Sequence, residues 1–294
     1  MQFLEPWVQS LRYRSTQDIN TSPEKWHDKK IKAIIIDERA TPQLRATVLN
    51  TLLMGWGKWS ISIYTTNRSL KAMKSLFSDI KHLVTINRLE QANSEFGWTG
   101  YNQLLKNPDF WLSLDEDKVL IFQTDTLLIK PVEIVYFNYD YIGSPWAKNR
   151  YESQSFPNYS HNLDRIEATI ESRVYCKSIP EGLTNGNGGL SIRSPRLMAE
   201  ICLQHGSESP TDEAEDIFFA KHISAYSKAI APASLVESFC CETEYRSTCG
   251  AHAAWRYIDA RDCAALYEEH CKQVMALIDA IQLQGSELKK KSMG

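Results

Sequence analysis

Apolar residues first fall into a regular pattern at Ile31, where IKAIIID reads as a short buried strand. Thr41-Pro42 marks a helix start, and QLRATVLNTLLMGW continues as an amphipathic helix. The pattern then repeats: WSISIYTT alternates as a strand, RSLKAMKSLFSDI has helical spacing, and HLVTIN reads as a third strand. The stretch TGYNQLLKNPDFWLSL predicts one further helix. It precedes VLIFQTDTLLI, Val119 to Ile129, an apolar run of the kind that fills a central parallel strand. Strands alternating with helices predict a parallel sheet in an α/β domain. Gln123 and Asp125 interrupt the fourth strand on one side, where an unpaired carboxylate in the core would cost several kcal/mol. Placing Asp125 at or just past the carboxyl end of the strand removes that cost. It also puts the carboxylate where ligands bind in open α/β sheets.

The flanks carry a different pattern. Residues 1–30 are polar and aromatic without periodicity and predict an N-terminal extension lying against the domain. Beyond the fourth strand come YDYIGSPW, a polar insertion from Lys148 to about Pro180, the Gly/Asn-rich NGNGGLSIRS, and an acidic helix start in TDEAEDIFFAKHI. AALYEEHCKQVMALIDAIQLQG predicts an amphipathic helix, and SELKKKSMG a frayed tail. The expected organisation is an extension over 1–30, one α/β domain over 31–258 with halves 31–130 and 131–258, and a C-terminal helix and basic tail over 259–294. No internal repeat interrupts it.

Composition narrows the function classes. The balance of 33 Lys+Arg against 36 Asp+Glu leaves no electrostatic footprint for nucleic acid. No apolar run approaches the ~18 residues of a membrane span, and MQFLEPWVQSLRYR lacks the basic and apolar regions of a signal peptide. A soluble, cytoplasmic protein is expected. The seven cysteines include no C-x-x-C pair and read as small buried residues in a reducing compartment.

Four features carry candidate chemistry. Asp125 in FQTDT, at a strand end, can ligate a hard cation such as Mg²⁺ or Mn²⁺ beside ligand phosphate oxygens, or can simply bond the backbone of a turn. Asn185 to Arg193, NGNGGLSIR, is richer in glycine and asparagine than a plain turn requires, which predicts a loop in backbone contact with a ligand. Glu215 and Asp216 begin an apolar helix. The macrodipole accounts for carboxylates there, and a partly desolvated one beside IFF has the basicity a general base requires. His252, between Gly and Ala residues, can be a second ligand for Mn²⁺ beside Asp125.

In this order the motifs resemble the GT-A class of nucleotide-sugar glycosyltransferases. More narrowly, IIIDERATPQL, VLIFQTDTLLI, YDYIGSPW, NGNGGLSIRS and EDIFF look like a little-characterised glycosyltransferase-like family with Gln-Thr-Asp in place of Asp-x-Asp. The resemblance implies a GT-A-like, Rossmann-like single domain with a mostly parallel central sheet flanked by helices. Its first half would bind a nucleotide sugar and its second half an acceptor. It assigns donor binding to Asp37, Glu38, Arg39, Gln123, Thr124, Asp125 and Arg193, and acceptor binding to Trp146, Asn185, Gly186, Asn187, Gly188 and Gly189. Asp125 and His252 would hold Mn²⁺ or Mg²⁺, a cation that Gln123, standing for the first carboxylate, leaves weakly held or unused. Asp216, with Glu215 as the alternative, would take the acceptor proton. The implied reaction is inverting transfer from a nucleoside diphosphate sugar, a UDP-sugar, to a hydroxyl of a glycan or glycoconjugate.

Two rivals remain at this stage. A haloacid-dehalogenase-type phosphatase would use Asp37 as nucleophile, but the general-acid position two residues on is Arg39, which cannot give up a proton at neutral pH. A non-catalytic sugar-nucleotide or glycan-binding module of the same fold is consistent with Gln123.

Overall fold

The structure is a computed structural model that describes residues 30–55, 59–89, 96–145, 185–242 and 246–253, with position 265. The expected extension over 1–30, apart from Lys30, Trp146, the insertion from Lys148 to Pro180, and the C-terminal helix and tail, apart from position 265, lie outside the described residues.

Four strands, β1 (Ile31–Ile36), β2 (Ser60–Thr65), β3 (Val84–Arg88) and β4 (Lys118–Phe122), pair in parallel in the order β3-β2-β1-β4. Beyond β4 the sheet turns antiparallel. β7 (Asn187–Arg193) runs against β4, and β6 (Tyr141–Ser144) runs against β7. The chain is thus α/β with a mostly parallel central sheet flanked by helices. Alternation along each strand divides the core in two. Ala33, Ile35, Leu120 and Phe122 pack with α1 (Pro42–Met54) on one face. Ile34, Ile36, Val119 and Ile121 face the other side, with Trp111, Met198, Phe218 and Phe219 from the helices there.

Those helices are α3 (Gly97–Leu105), α4 (Pro108–Leu112), α5 (Pro195–His205) and α6 (Glu215–Tyr226). The expected single helix through TGYNQLLKNPDFWLSL is two. Pro108 lacks a donor and disfavours helical φ/ψ before it, while Asn107 accepts from the Asp109 amide at 2.9 Å and caps the new start. A short helix α2 (Leu70–Leu76) joins β2 to β3.

The run read as one long fourth strand is also divided. β4 ends at Phe122, Gln123 to Asp125 form a turn closed by the Thr126 amide donating to the Gln123 carbonyl at 3.1 Å, and β5 (Thr126–Leu128) enters a second sheet. That sheet has the order β5-β9-β8, with β9 (Gly250–His252) antiparallel to β5 and parallel to β8 (Cys240–Cys241), which follows helix α7 (Ala233–Phe239) directly. It accounts for the burial of α1. The helix expected to be amphipathic is enclosed along most of its length, because β5 covers the side turned away from the main sheet. Asn50 of α1 donates to the Leu128 carbonyl at 2.9 Å and accepts from the Leu128 amide at 2.8 Å.

Candidate functional site

Breaking the apolar run at Phe122 sets the site. The Gln123–Asp125 turn lies past the carboxyl end of β4, and pairing of β5 with β9 places Thr126 opposite His252. The Ala253 amide donates to the Asp125 carbonyl at 2.9 Å, and Ala253 takes the left-handed conformation, φ 46°, as the chain leaves β9. As a result His252 Nε2 stands 3.3 Å from Asp125 Oδ1 and 3.2 Å from Gln123 Oε1. On the other side of the ring, Nδ1 is 3.5 Å from Glu242 Oε1, which also accepts from Asn187 Nδ2 at 2.7 Å. Burial pulls the pKa of His252 down, but hydrogen bonds to Asp125 and Glu242, and the charges of both, outweigh it and raise the value to about 10. At neutral pH the imidazole is therefore a cation between two carboxylates.

The glycine-rich segment is not the loop that its composition predicts. Asn187, Gly188 and Gly189 are the first residues of β7, and all are buried. The glycines are required by close approach. A Cβ on Gly189 would come within 2.0 Å of His252 Nε2, and one on Gly188 within 2.3 Å of Glu215 Oε1. Asn187 Oδ1 accepts from the Gly189 amide at 3.0 Å. Asn185 pins β6, accepting from the Gly143 amide at 2.8 Å and donating to the Tyr141 carbonyl at 3.1 Å. The Gly186 carbonyl accepts from the Tyr141 hydroxyl at 2.6 Å.

Glu215 and Asp216, adjacent in sequence, have different surroundings. Glu215 meets Arg193 through two contacts, at 2.5 and 3.0 Å, and Arg193 is fully buried, its guanidinium 5.2–5.8 Å from the ring centres of Tyr141, Phe219 and Trp111. Neither side chain of this pair faces the Asp125 turn with an uncommitted charge. Asp216 points to the glycines instead: its carboxylate accepts from the Gly188 amide at 3.3 Å and from the Ile217 amide at 2.8 Å. The structure thus brings Gln123, Asp125, His252, Gly188, Gly189 and Asp216 together around the start of β7.

Asp37, Glu38 and Arg39 end β1 beside the same turn. Asp37 is buried and accepts from Arg39 Nε at 3.0 Å and Nη2 at 2.9 Å, while the exposed guanidinium reaches Thr124 Oγ1 at 3.4 Å. The Thr124 carbonyl accepts from Gln43 and Thr47, each at 3.0 Å, so α1 holds the turn from below. Glu38 accepts from the Gly97 amide at the head of α3, at 3.2 Å.

Glu242 and Tyr101 are also at the site, and sequence reasoning did not single them out. Glu242 follows a cysteine pair, and its only signal is an acid, 2% exposed, next to a buried strand. Tyr101 lies on an ordinary amphipathic helix.

Among the described residues no group of three or more His, Cys, Asp or Glu side chains is arranged as a metal site. The separations of 3.2 and 3.3 Å around His252 Nε2 are nonetheless close to the ~3 Å edge between neighbouring donors on a small octahedral cation. With its proton removed, His252 Nε2 is thus spaced from Asp125 Oδ1 and Gln123 Oε1 as donors to a small divalent cation are.

A family model described as "Protein of unknown function (DUF5672)" matches residues 84–254, more than half of the chain. The chain belongs to the DUF5672 family. The matched segment runs from β3 to the residue after Ala253, so the DUF5672 region includes the Gln123–Asp125 turn, β7, Glu215, Asp216 and His252, and leaves β1 and β2 outside. No curated protein matches this DUF5672 chain. Among solved structures it is similar to the galactosyltransferase LgtC in complex with donor and acceptor sugar analogues, at 8% identity and a TM-score of 0.48, covering 84% of this chain and 95% of that one. An active-site mutant of LgtC is similar at 10% identity and a TM-score of 0.43, covering 68% of this chain and 71% of that one. The apo-form glycosyltransferase GlyE of Streptococcus pneumoniae TIGR4 is similar at 12% identity and a TM-score of 0.38, covering 69% and 45%.

Proposed function

We propose that the protein transfers a glycosyl group from a nucleoside diphosphate sugar, a UDP-sugar, to a hydroxyl of a glycan or glycoconjugate, with inversion. One observation supports this most. Gln123 and His252, 129 positions apart, meet with Asp125 beyond the carboxyl end of β4, in front of a glycine whose Cβ would collide with the histidine. Such a site has polar groups for a diphosphate and a sugar, and backbone cleared for close approach. In this GT-A-like reading Asp37, Glu38 and the exposed Arg39 meet the nucleotide. Asp216 takes the proton from the acceptor hydroxyl as its oxygen bonds the anomeric carbon and the carbon–oxygen bond to the diphosphate breaks. Its two backbone N–H partners fix where that carboxylate points. The Gly-rich start of β7 and Trp146 belong to the acceptor side. Mn²⁺ or Mg²⁺ held by Asp125 and His252 would supply Lewis-acid stabilisation of the leaving diphosphate.

The neutral amide of Gln123, where a second carboxylate would strengthen a cation site, favours a second reading: a sugar-nucleotide or glycan-binding module without turnover. Incubation with a panel of UDP-, GDP- and CMP-sugars, with and without Mn²⁺, separates the two. An enzyme releases free nucleotide slowly from one of them even without acceptor. Binding without release selects the module, and neither binding nor release from any donor overturns the enzyme and the sugar-nucleotide module alike.

The cation site makes its own prediction. His252 must lose its proton to bind metal, so Mn²⁺ affinity measured in the presence of UDP should rise about tenfold per pH unit over about pH 6 to 8. The sign follows from a pKa raised to about 10, which leaves the ring protonated across that range. Asp125→Ala should abolish the Mn²⁺ response and most turnover. Calorimetry showing an unchanged Mn²⁺ response in that variant would remove Asp125 from the site.

A further inference from the structure

The inner stripe of α3 runs on past the core. Residues three, four and seven positions apart share one side of a helix, so Trp98 lines up with Tyr101, Asn102 and Leu105. Those three are held against the site. Asn102 accepts from the Glu215 amide at 2.7 Å, Tyr101 stands beside Gln123 and Glu215, and Leu105 is fully buried. Trp98, one turn nearer the helix head, is 57% exposed, although tryptophan is among the more highly buried residues on average. Every Cα–Cβ bond tilts toward the helix N-terminus, so the indole overhangs the head of α3 beyond the last of the packed side chains. That head is fixed to the end of β1. The Gly97 amide donates to Glu38 Oε1 at 3.2 Å, and the Trp98 carbonyl accepts from Asn102 Nδ2 at 2.9 Å. The residue after Glu38 is Arg39, whose exposed guanidinium reaches Thr124 in the turn. The space beyond the carboxyl end of β1 therefore has the indole on its α3 side and Arg39 on its turn side.

We propose that Trp98 stacks on the base of the bound nucleotide. The assignment rests on the nucleotide-sugar reading given above, in which the diphosphate lies at the Asp125 turn and Asp37 to Arg39 meet the rest of the nucleotide. The base then falls at the end of that segment tied to α3. A planar heterocycle laid there covers the indole from water and requires no charge of it. Every base has a π-face, so this contact supplies affinity for the nucleotide, and the choice among bases is left to polar groups such as Asp37 and Glu38.

Trp98→Ala removes the ring, and Trp98→Phe keeps a smaller one. Melting of the unliganded variants should match wild type, because more than half of the side chain lies outside the core. The probes are UDP, GDP, CMP, their sugars and inorganic pyrophosphate, each with Mn²⁺ and with affinity read by calorimetry. The nucleotide that wild type prefers, and its sugar, should both bind Trp98→Ala about tenfold more weakly, with most of the loss recovered in Trp98→Phe. Any response to pyrophosphate should be the same in all three proteins. Unchanged nucleotide affinity in Trp98→Ala, an equal loss for pyrophosphate, a loss confined to the nucleotide sugar, or a lower melting temperature would each overturn the assignment. In those cases wild type still binds a nucleotide, so the functional reading stands. If wild type binds no nucleotide of the panel, that reading fails and the base contact falls with it.

Discussion

Glu215→Gln should be among the most destabilising single substitutions in the described core, with a loss of about 3–5 kcal/mol. Arg193 is fully buried and enclosed by Trp111, Tyr141 and Phe219, so removing the charge of Glu215 leaves a guanidinium with no counter-ion and no access to water. Urea denaturation should show the midpoint falling while the slope stays near that of wild type. Replacing both members, Arg193→Met with Glu215→Leu, should restore much of the stability, because the cost lies in the unpaired charge. Full stability of the single Glu215→Gln variant would mean that the pair contributes nothing to holding α6 on β7.

Asp216→Asn, one residue along, should give the opposite signature. Its carboxylate accepts from two backbone amides and lies 8% exposed beside Gly188, next to the buried pair. The amide oxygen can keep one of these bonds, so stability should fall by ~1 kcal/mol or less. Basicity is lost outright. With the donor identified by the panel, kcat should fall on the order of 10²-fold or more while donor affinity and melting temperature hardly move. An Asp216→Asn protein with undiminished turnover would remove Asp216 as the base. Sequence alone left these two acids interchangeable, and their environments separate a stability effect at one from a rate effect at the other.

What the sequence disclosed, and what it hid, follow from whether the controlling interaction is local. The parallel order of β1 to β4 follows from alternation and helix spacing, which nearest neighbours determine. The division at Pro108 is also local, carried by the cap and stop of Asn107-Pro108, yet the expectation of a single helix passed over it because the apolar spacing continues across the break. The end of β4 at Phe122 was harder. Every apolar residue on either side of the Gln123–Asp125 turn is buried, so hydrophobicity does not change when the chain leaves one sheet for another. The burial of α1 depends on a sheet completed by residues about 200 positions later, which no helical pattern can announce. At the site, Asp125 and His252 stood out because polar residues in apolar stretches are conspicuous. Arg193 and Glu215 were equally conspicuous and were read as groups for a ligand, whereas each is the other's partner across 22 positions. Tyr101 gave no sign, because a tyrosine on the inner face of a helix reads as core whatever its oxygen meets.

The clasp between Asn50 and Leu128 has a consequence for how molecules of this protein behave toward one another. β5 is one of the two outer strands of the second sheet, and such strands invite a foreign chain to extend the ladder. Three of the backbone groups an incoming strand would use are taken. The Leu128 amide and carbonyl are held by the Asn50 side chain, and the Thr126 amide is turned back onto Gln123. One asparagine on a neighbouring helix thus substitutes for a missing strand at the β5 edge of the sheet.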